Sequence, residues 1–341
     1  MTERKYLSCL VIFIIGCIGI LNANAQVNNT STSIPLDTTY TVWSTKKKLI
    51  RDYPYIKPVE PSSSNAIIQK ENVVYLTLKD TPFGERDLHV DIFIPNKKKK
   101  YYPALVLVHG GGWRAGNKTL NTPMAQKLAE NGFVVVSVEY RLSLEAKYPA
   151  AVHDIKAAIR WMREHASEYQ IDTKHIAIGG SSAGGQLASL IGSTNRNSKF
   201  EGVLGNLNFS SEAQAVVDMD GLLDFTDEAN LAVKRDEKSA DVFWLEGFYA
   251  DNVEKWKQAS ALYWVNKESP PFLFINSSQT RFHAGCQPMV DKLNEFEIYN
   301  EVHKLEGSPH SFWLFHPWFD PTVGYITDFL GKVFADSVSK K

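Results

Sequence analysis

An α/β architecture, a mostly parallel eight-stranded sheet with helices on both faces, is predicted by three features of this chain. Short apolar runs recur along it, helical stretches separate most of them, and glycine-rich turns follow several. Strands covered on both faces read as unbroken Val/Ile/Leu runs, whereas a sheet with one wet face alternates apolar and polar residues.

Val73–Leu78 and Leu88–Ile94 come first and read as an antiparallel pair. Ala104–Val108 is apolar throughout and reads as a central strand, and Phe133–Val138, His175–Gly179, 214–219, 272–276 and 301–305 follow it. Thr122–Asn131 and Ala150–Glu168 carry helical periodicity between them. With 341 residues, 44% of them hydrophobic, the chain can bury one large core, and residues 71–341 read as a single domain. An aromatic-rich insertion over about 226–264 holds Phe243, Trp244, Phe248, Tyr249, Trp256 and Trp264. It is expected to form a small cap, most of these rings packing the inner face of its helices and some free to stack on a ligand.

Ahead of the domain, Arg4 and Lys5 precede an apolar stretch, Leu7–Leu21, and then Ala23-Asn24-Ala25. This is the pattern of a signal peptide cleaved near Gln26, so residues 1–25 are set apart from the fold and the chain is expected to be exported, periplasmic or secreted. The apolar stretch is too short to span a membrane comfortably, so no stable insertion is expected once it is removed. Ile14-Ile15-Gly16-Cys17 also resembles a lipobox, which would anchor the chain through a lipid on Cys17. The apolar residues that continue past Cys17 favour soluble export. Residues 26–70, rich in Thr, Ser, Asn and Pro, read as an extended leader that partly wraps the domain.

Of three cysteines, Cys9 and Cys17 would leave with the signal, so the mature fold has no internal disulfide. No base is placed beside Cys286 to make it a nucleophile. A net charge of −1 gives no electrostatic case for binding nucleic acid or an anionic membrane. The runs Lys46–Lys48 and Lys97–Lys100 are short and read as solvated turns, the second in a hairpin loop.

Chemistry enters at Gly180-Ser181-Ser182-Ala183-Gly184, between the strand His175–Gly179 and a helix opening at Gly185. A G-x-S-x-G at a strand-to-helix turn exposes its central serine, Ser182, on a tight bend. A serine hydroxyl needs a base to take its proton and donors to hold the oxyanion it generates. The donors are expected on His109-Gly110-Gly111-Gly112-Trp113, from the N–H groups of Gly111 and Gly112, with that of Ala183 as the third. The base is expected at His310, on the loop Gly307-Ser308-Pro309-His310 just past the last strand.

These segments resemble the α/β-hydrolase superfamily, above all its hormone-sensitive-lipase-like and carbohydrate-esterase branches, the latter including acetylxylan, feruloyl and pectin esterases. Tyr140-Arg141-Leu142, the helix start Tyr148–Asp154 and Gly307–Phe312 share in the likeness, which covers Val73 to Phe334. In that superfamily the acid of the triad usually follows the seventh strand. Here that strand, Pro271–Ile275, is followed by Asn276–Gly285, which contains no Asp or Glu; the first acid is Asp291, inside a predicted helix. The end of strand six supplies the substitute: Asp220 is the first choice and Asp218, two residues earlier on the same strand face, the alternative. Asp218 would otherwise brace a loop, and Asp224 and Glu306 are more distant options. Trp113, Arg281 and His283 are the candidates for touching substrate, Arg281 either pairing with a carboxylate such as that of a uronic acid or closing an ion pair within the domain.

The resemblance, with the signal pattern ahead of it, implies an exported serine esterase, without metal or organic cofactor, that removes acetyl esters first, and feruloyl or methyl esters second, from oligo- or polysaccharide such as xylan or pectin. A general short-chain carboxylesterase or lipase is one alternative. A carbohydrate-binding relative that has lost its acid, and with it catalysis, is another.

Overall fold

The computed structural model of the chain describes residues 33–339. The expected signal peptide, Cys9, Cys17 and the first part of the leader lie outside the described residues. The strands are β1 (Lys57–Pro58), β2 (Ile67–Thr81), β3 (Gly84–Pro95), β4 (Tyr102–Val108), β5 (Val134–Val138), β6 (Ile171–Ser181), β7 (Ala215–Met219), β8 (Phe272–Asn276), β9 (Asn300–Lys304) and β10 (Phe315–His316). Eight of them form one sheet in the order β2-β3-β5-β4-β6-β7-β8-β9, while β1 and β10 pair separately. The β2–β3 and β3–β5 pairs are antiparallel and all later neighbours are parallel, as the run of apolar strands predicts.

β4 shows why the core has two halves. Ala104, Val106 and Val108 pack to one side, with Val152, Ile155 and Ile159 of helix Ala150–Glu164 and Leu187 and Ile191 of helix Ala183–Ser193. Leu105 and Leu107 pack to the other, with Met124 and Leu128 of helix Thr122–Glu130 and Ile326 and Phe329 of helix Phe319–Ser339. Alternation along a strand sends successive side chains to opposite faces, so a strand with apolar residues at every position needs a helical layer on each side. Each fully buried Val, Leu or Ile here contributes about 1.5–3 kcal/mol.

The chain runs from β4 to β5 on one side and then crosses to β6 on the other. Loops leaving β4 and β6 therefore diverge to opposite faces of the sheet, which opens a crevice above the carboxyl ends of these strands. The β7–β8 connection holds five short helical segments, Glu228–Leu231, Ala240–Leu245, Tyr249–Asp251, Val253–Ala259 and Ala261–Trp264. Trp244 and Trp256 are fully buried there, whereas Phe248 stays partly exposed.

Three expectations are corrected. The leader is not extended throughout: Val42–Leu49 is a helix whose N-cap Thr41 exchanges hydrogen bonds with Ser44. Lys46–Lys48 form its last turn, where cations meet the negative end of the helix dipole, rather than a solvated turn. Lys97–Lys100 do not lie in a hairpin, because β3 pairs with β5 and not with β4.

Candidate active site

Ser182 is the single residue between β6 and helix Ala183–Ser193, and its backbone is bent to φ 54°, ψ −120°. A non-glycine residue held there costs about 1–3 kcal/mol, so neighbours must hold it. The Ser182 N–H donates to the Met219 carbonyl at 2.8 Å, and the Ser182 carbonyl accepts from the Gln186 N–H at 2.9 Å. The flanking glycines allow the bend to close. A Cβ at Gly184 would run into the carbonyl of Val108, and one at Gly180 into the carbonyl of Gly184.

Nε2 of His310 lies 2.8 Å from Ser182 Oγ, and its Nδ1 lies 2.8 Å from Asp220 Oδ2. Those three side chains come from the ends of three different strands, β6, β7 and β9. Asp220 stands just past β7 at φ 54°, so strand alternation no longer governs where it points and it does not share the setting of Asp218. Its other oxygen accepts from the Ser277 N–H at 2.8 Å and contacts His283 Nδ1 at 3.0 Å. Burial pushes the Asp220 carboxyl up, but the bonds from His283 and His310 outweigh it and hold the group below its ordinary value. A carboxylate can only accept, so both imidazoles carry their proton on Nδ1, which leaves Nε2 of His310 free to accept from the serine. Burial lowers the His310 pKa, Asp220 opposes the drop, and the charges of Arg281 and His283 add to it. The result is an imidazole that is neutral, hence basic, near neutral pH.

The loop after β4 faces this serine. Gly111 adopts φ 126° and Gly112 φ 60°, and a Cβ at Gly111 would run into the carbonyl of Ala115. His109 anchors the loop from below. Its Nδ1 is 2.8 Å from the Gly110 carbonyl, its ring stacks on Tyr140 at 4.5 Å, and the Tyr140 hydroxyl donates to its carbonyl at 2.9 Å. Burial pushes the His109 pKa down to about 4, so it is a neutral packing residue. Among the described residues, the N–H groups of Gly111, Gly112 and Ala183 have no acceptor. All three residues line one cleft of about 530 Å³ together with Ser182, Asp220 and His310. Unspent donors around a half-buried hydroxyl that lines the cleft suit a carbonyl oxygen that becomes charged.

The other expected residues are distributed differently. Asp218 is fully buried and is spent on Ser189 Oγ at 2.5 Å and the Gly221 N–H at 2.6 Å, so it braces the turn and does not reach His310. Trp113 borders the cleft but is only 8% exposed. Its ring stacks on Trp244 at 4.7 Å and its N–H donates to Gln186 Oε1 at 2.8 Å, so the side chain packs rather than reads a ligand. His283 is spent on Asp220 instead of lining the cleft. Arg281 does line it, is exposed, and forms no ion pair among the described residues. Cys286 is buried, and burial pushes its thiol up to about 12, which removes it as a nucleophile.

Sequence reasoning missed Phe282, whose ring lies flat on that of His310 with centroids 3.5 Å apart. It also missed the N-terminal segment, from which Asp37, Thr39 and Tyr40 wall the cleft, Asp37 being tied to Arg114 at 3.2 Å. Arg141 and Asp154, from two segments singled out separately, form a buried fork with contacts down to 2.6 Å. No group of three or more His, Cys, Asp or Glu able to hold a metal ion occurs among the described residues, and no helix there is long and apolar enough to cross a membrane.

Comparison with known proteins places these features in a family. Esterase LipC of Mycobacterium tuberculosis is 30% identical over 246 residues, 68% of this chain and 58% of its own length. The chain spans about half the length of the curated relatives it matches, 58%, 42% and 49% for the esterases LipC, LipQ and LipM. A truncated form of a carbohydrate esterase from gut microbiota superposes with a TM-score of 0.69 at 26% identity, over 81% of this chain and 99% of that one. A bifunctional GH43-CE protein of Bacteroides eggerthii gives a TM-score of 0.68 at 29% identity, over 80% of this chain and 39% of that one. Residues 90–287 match the family described as BD-FAE. The chain therefore belongs to the BD-FAE family and has the α/β-hydrolase fold.

Proposed function

We propose that this chain is a serine carboxylic-ester hydrolase acting on ester-decorated carbohydrate. The observation that carries the reading is the single imidazole of His310 bridging Ser182 Oγ and the Asp220 carboxylate at 2.8 Å on each side. Ser182 Oγ attacks the ester carbonyl carbon while His310 Nε2 takes its proton. Charge on the tetrahedral oxygen is met by the N–H groups of Gly111, Gly112 and Ala183. His310 then returns the proton to the alcohol oxygen as the carbon–oxygen bond breaks, leaving an acyl group on Ser182. Water deprotonated by His310 attacks that acyl group and releases the acid, restoring the serine. Asp220 keeps the imidazole in the right tautomer and stabilises its cation at each proton transfer.

Acetyl esters of plant cell-wall polysaccharide such as xylan or pectin are the substrates this reading favours, with feruloyl and methyl esters next. The carbohydrate esterase among the structural neighbours supports it. A cleft of about 530 Å³ has room for a sugar, and export through the N-terminal segment would bring the enzyme to such polymers. A general short-chain carboxylesterase is the second reading, favoured by the mycobacterial relatives, which are named simply as esterases. The non-catalytic reading rested on the acid missing after β8; against it, the Asp220 carboxylate reaches His310 from the end of β7 instead. Release of p-nitrophenol from p-nitrophenyl acetate, lost in Ser182→Ala, tests the chemistry. Acetylated xylan, acetylated pectin, methylated pectin and methyl ferulate, assayed side by side with p-nitrophenyl butyrate, separate the first reading from the second. Turnover confined to simple aryl esters would overturn the carbohydrate assignment.

A further inference from the structure

The charges lining the cleft do not cancel. Apart from Asp220, its acids are Asp37 and Asp241, and each is already bonded to an arginine that also lines it: Asp37 to Arg114 at 3.2 Å and Asp241 to Arg235 at 2.7 Å. Two cations are left over, Lys234 from the β7–β8 insertion and Arg281 from the loop after β8. Both are exposed and neither has a carboxylate partner among the described residues.

Arg281 is also held in place. Its guanidinium carbon lies 4.2 Å from the centroid of the Phe282 ring, and that ring is stacked on His310 at 3.5 Å. The guanidinium therefore stands no farther from the catalytic imidazole than these two steps together. A guanidinium placed over a ring is attracted without using its N–H groups, which remain donors able to meet a carboxylate in two parallel hydrogen bonds. None of those N–H groups is bonded to another described residue. The loop that carries Arg281 has no Asp or Glu to neutralise it.

We propose that the cleft selects anionic esters, in which a free carboxylate on the sugar next to the esterified hydroxyl is bound by Arg281, with Lys234 adding charge from the insertion. Uronic-acid-bearing carbohydrate is the substrate class this describes. The proposal rests on the ester-hydrolase reading above and narrows it.

The test compares two substrates that differ only at C6 of each sugar, carboxylate against hydroxymethyl: an O-acetylated digalacturonate and the matching O-acetylated digalactose. Acetate release gives kcat/KM for each, and the acidic-to-neutral ratio is the readout. The wild-type ratio should exceed one. It should fall at least about tenfold in Arg281→Gln, the scale of losing a charged hydrogen bond, and less in Arg281→Lys, which keeps charge but not the fork. Lys234→Gln should lower it by a smaller factor. Raising salt to about 0.5 M should lower the wild-type ratio, since partly exposed charges are screened over a few ångströms there. A wild-type ratio at or below one, or an Arg281→Gln variant that slows both substrates alike, overturns the inference. Serine-dependent release from p-nitrophenyl acetate is run alongside. If it persists while the ratio shows no preference, only the carboxylate selection fails; if it is absent, the hydrolase reading itself falls.

Discussion

His283 shares Asp220 with His310, the proposed base: its Nδ1 lies 3.0 Å from Oδ1, while His310 holds Oδ2. Two imidazoles on one buried carboxylate compete for its charge, and a charge on His283 makes His310 harder to protonate. The charge of His283 is one of the effects holding the His310 pKa below its ordinary value, after burial and the charge of Arg281. Removing it takes away repulsion of the His310 cation and one of the two hydrogen bonds on Asp220 Oδ1, leaving that of the Ser277 N–H, and both changes raise the His310 pKa. The base works only when unprotonated. In His283→Gln and His283→Ala the acid limb of the kcat/KM profile should therefore move to higher pH. A purely structural histidine would lower activity at every pH without moving that midpoint.

Asp220 and Asp218 are two residues apart yet are expected to behave oppositely. Asp220→Asn leaves His310 without a carboxylate and permits the wrong tautomer, so kcat should fall by about 10³–10⁴. Asp218→Asn should stay within about tenfold of wild type in rate, since Asp218 makes no contact with His310. Its mark should be on stability. Burial, then the charge of Asp220, outweighs the bonds from Ser189 and Gly221 and raises the Asp218 carboxyl to about 6. A carboxyl raised above its unfolded value of about 4 favours the protonated fold, so its contribution is complete below about pH 4 and is lost as pH rises through about 6. Replacing it with a neutral amide removes that dependence. Chemical denaturation from about pH 4 to about pH 7 should show Asp218→Asn gaining on wild type by on the order of 2–3 kcal/mol. A constant difference would mean that Asp218 titrates in the fold as it does in the unfolded chain.

Much of the fold is legible in the chain because β4 and β8 are buried at nearly every position and their apolar runs cannot be read as anything wet. The elbow is legible because glycine is the only residue that fits between Val108, Gly180 and Gly184. The acid was not legible to the same degree. Asp220 reaches His310 across 90 residues, through the parallel registers of β7 with β8 and β8 with β9, and nothing local announces that meeting. His283 is 63 residues from Asp220 and is hidden in the same way. The leader helix escaped notice because its cap places Ser44, not Glu or Gln, at the third helical position, and its three lysines suggest a turn. Trp113 misled for another reason: its neighbours in sequence are site residues, while its ring belongs to the insertion.

Gly111→Ala tests the oxyanion loop. The new methyl group would collide with the Ala115 carbonyl, and φ 126° is closed to alanine, so the loop must move and take the Gly111 and Gly112 N–H groups with it. The loss should appear in kcat, by a factor of about 10² or more, with KM for a small aryl ester little changed. A variant that folds, judged by its near-UV spectrum, and keeps full kcat would remove these N–H groups from the mechanism.

Trp113 should behave as a core residue although it sits beside the glycines. It is 92% covered, stacked on Trp244 with the rings within 4° of parallel, and bonded to Gln186, whose amide in turn donates to the Ala259 carbonyl at 2.8 Å. That chain ties the oxyanion loop to helix Ala183–Ser193 and to the insertion. Trp113→Phe keeps most of the stack but leaves the Gln186 oxygen unpaired, at a cost of about 1–3 kcal/mol. Trp113→Ala also opens a cavity under the loop and should cost about 3–5 kcal/mol, a loss of many degrees in Tm. KM in the phenylalanine variant should stay within about twofold of wild type, because removing a packing contact does not remove a substrate contact. A large rise in KM at unchanged Tm would return Trp113 to the substrate side of the cleft.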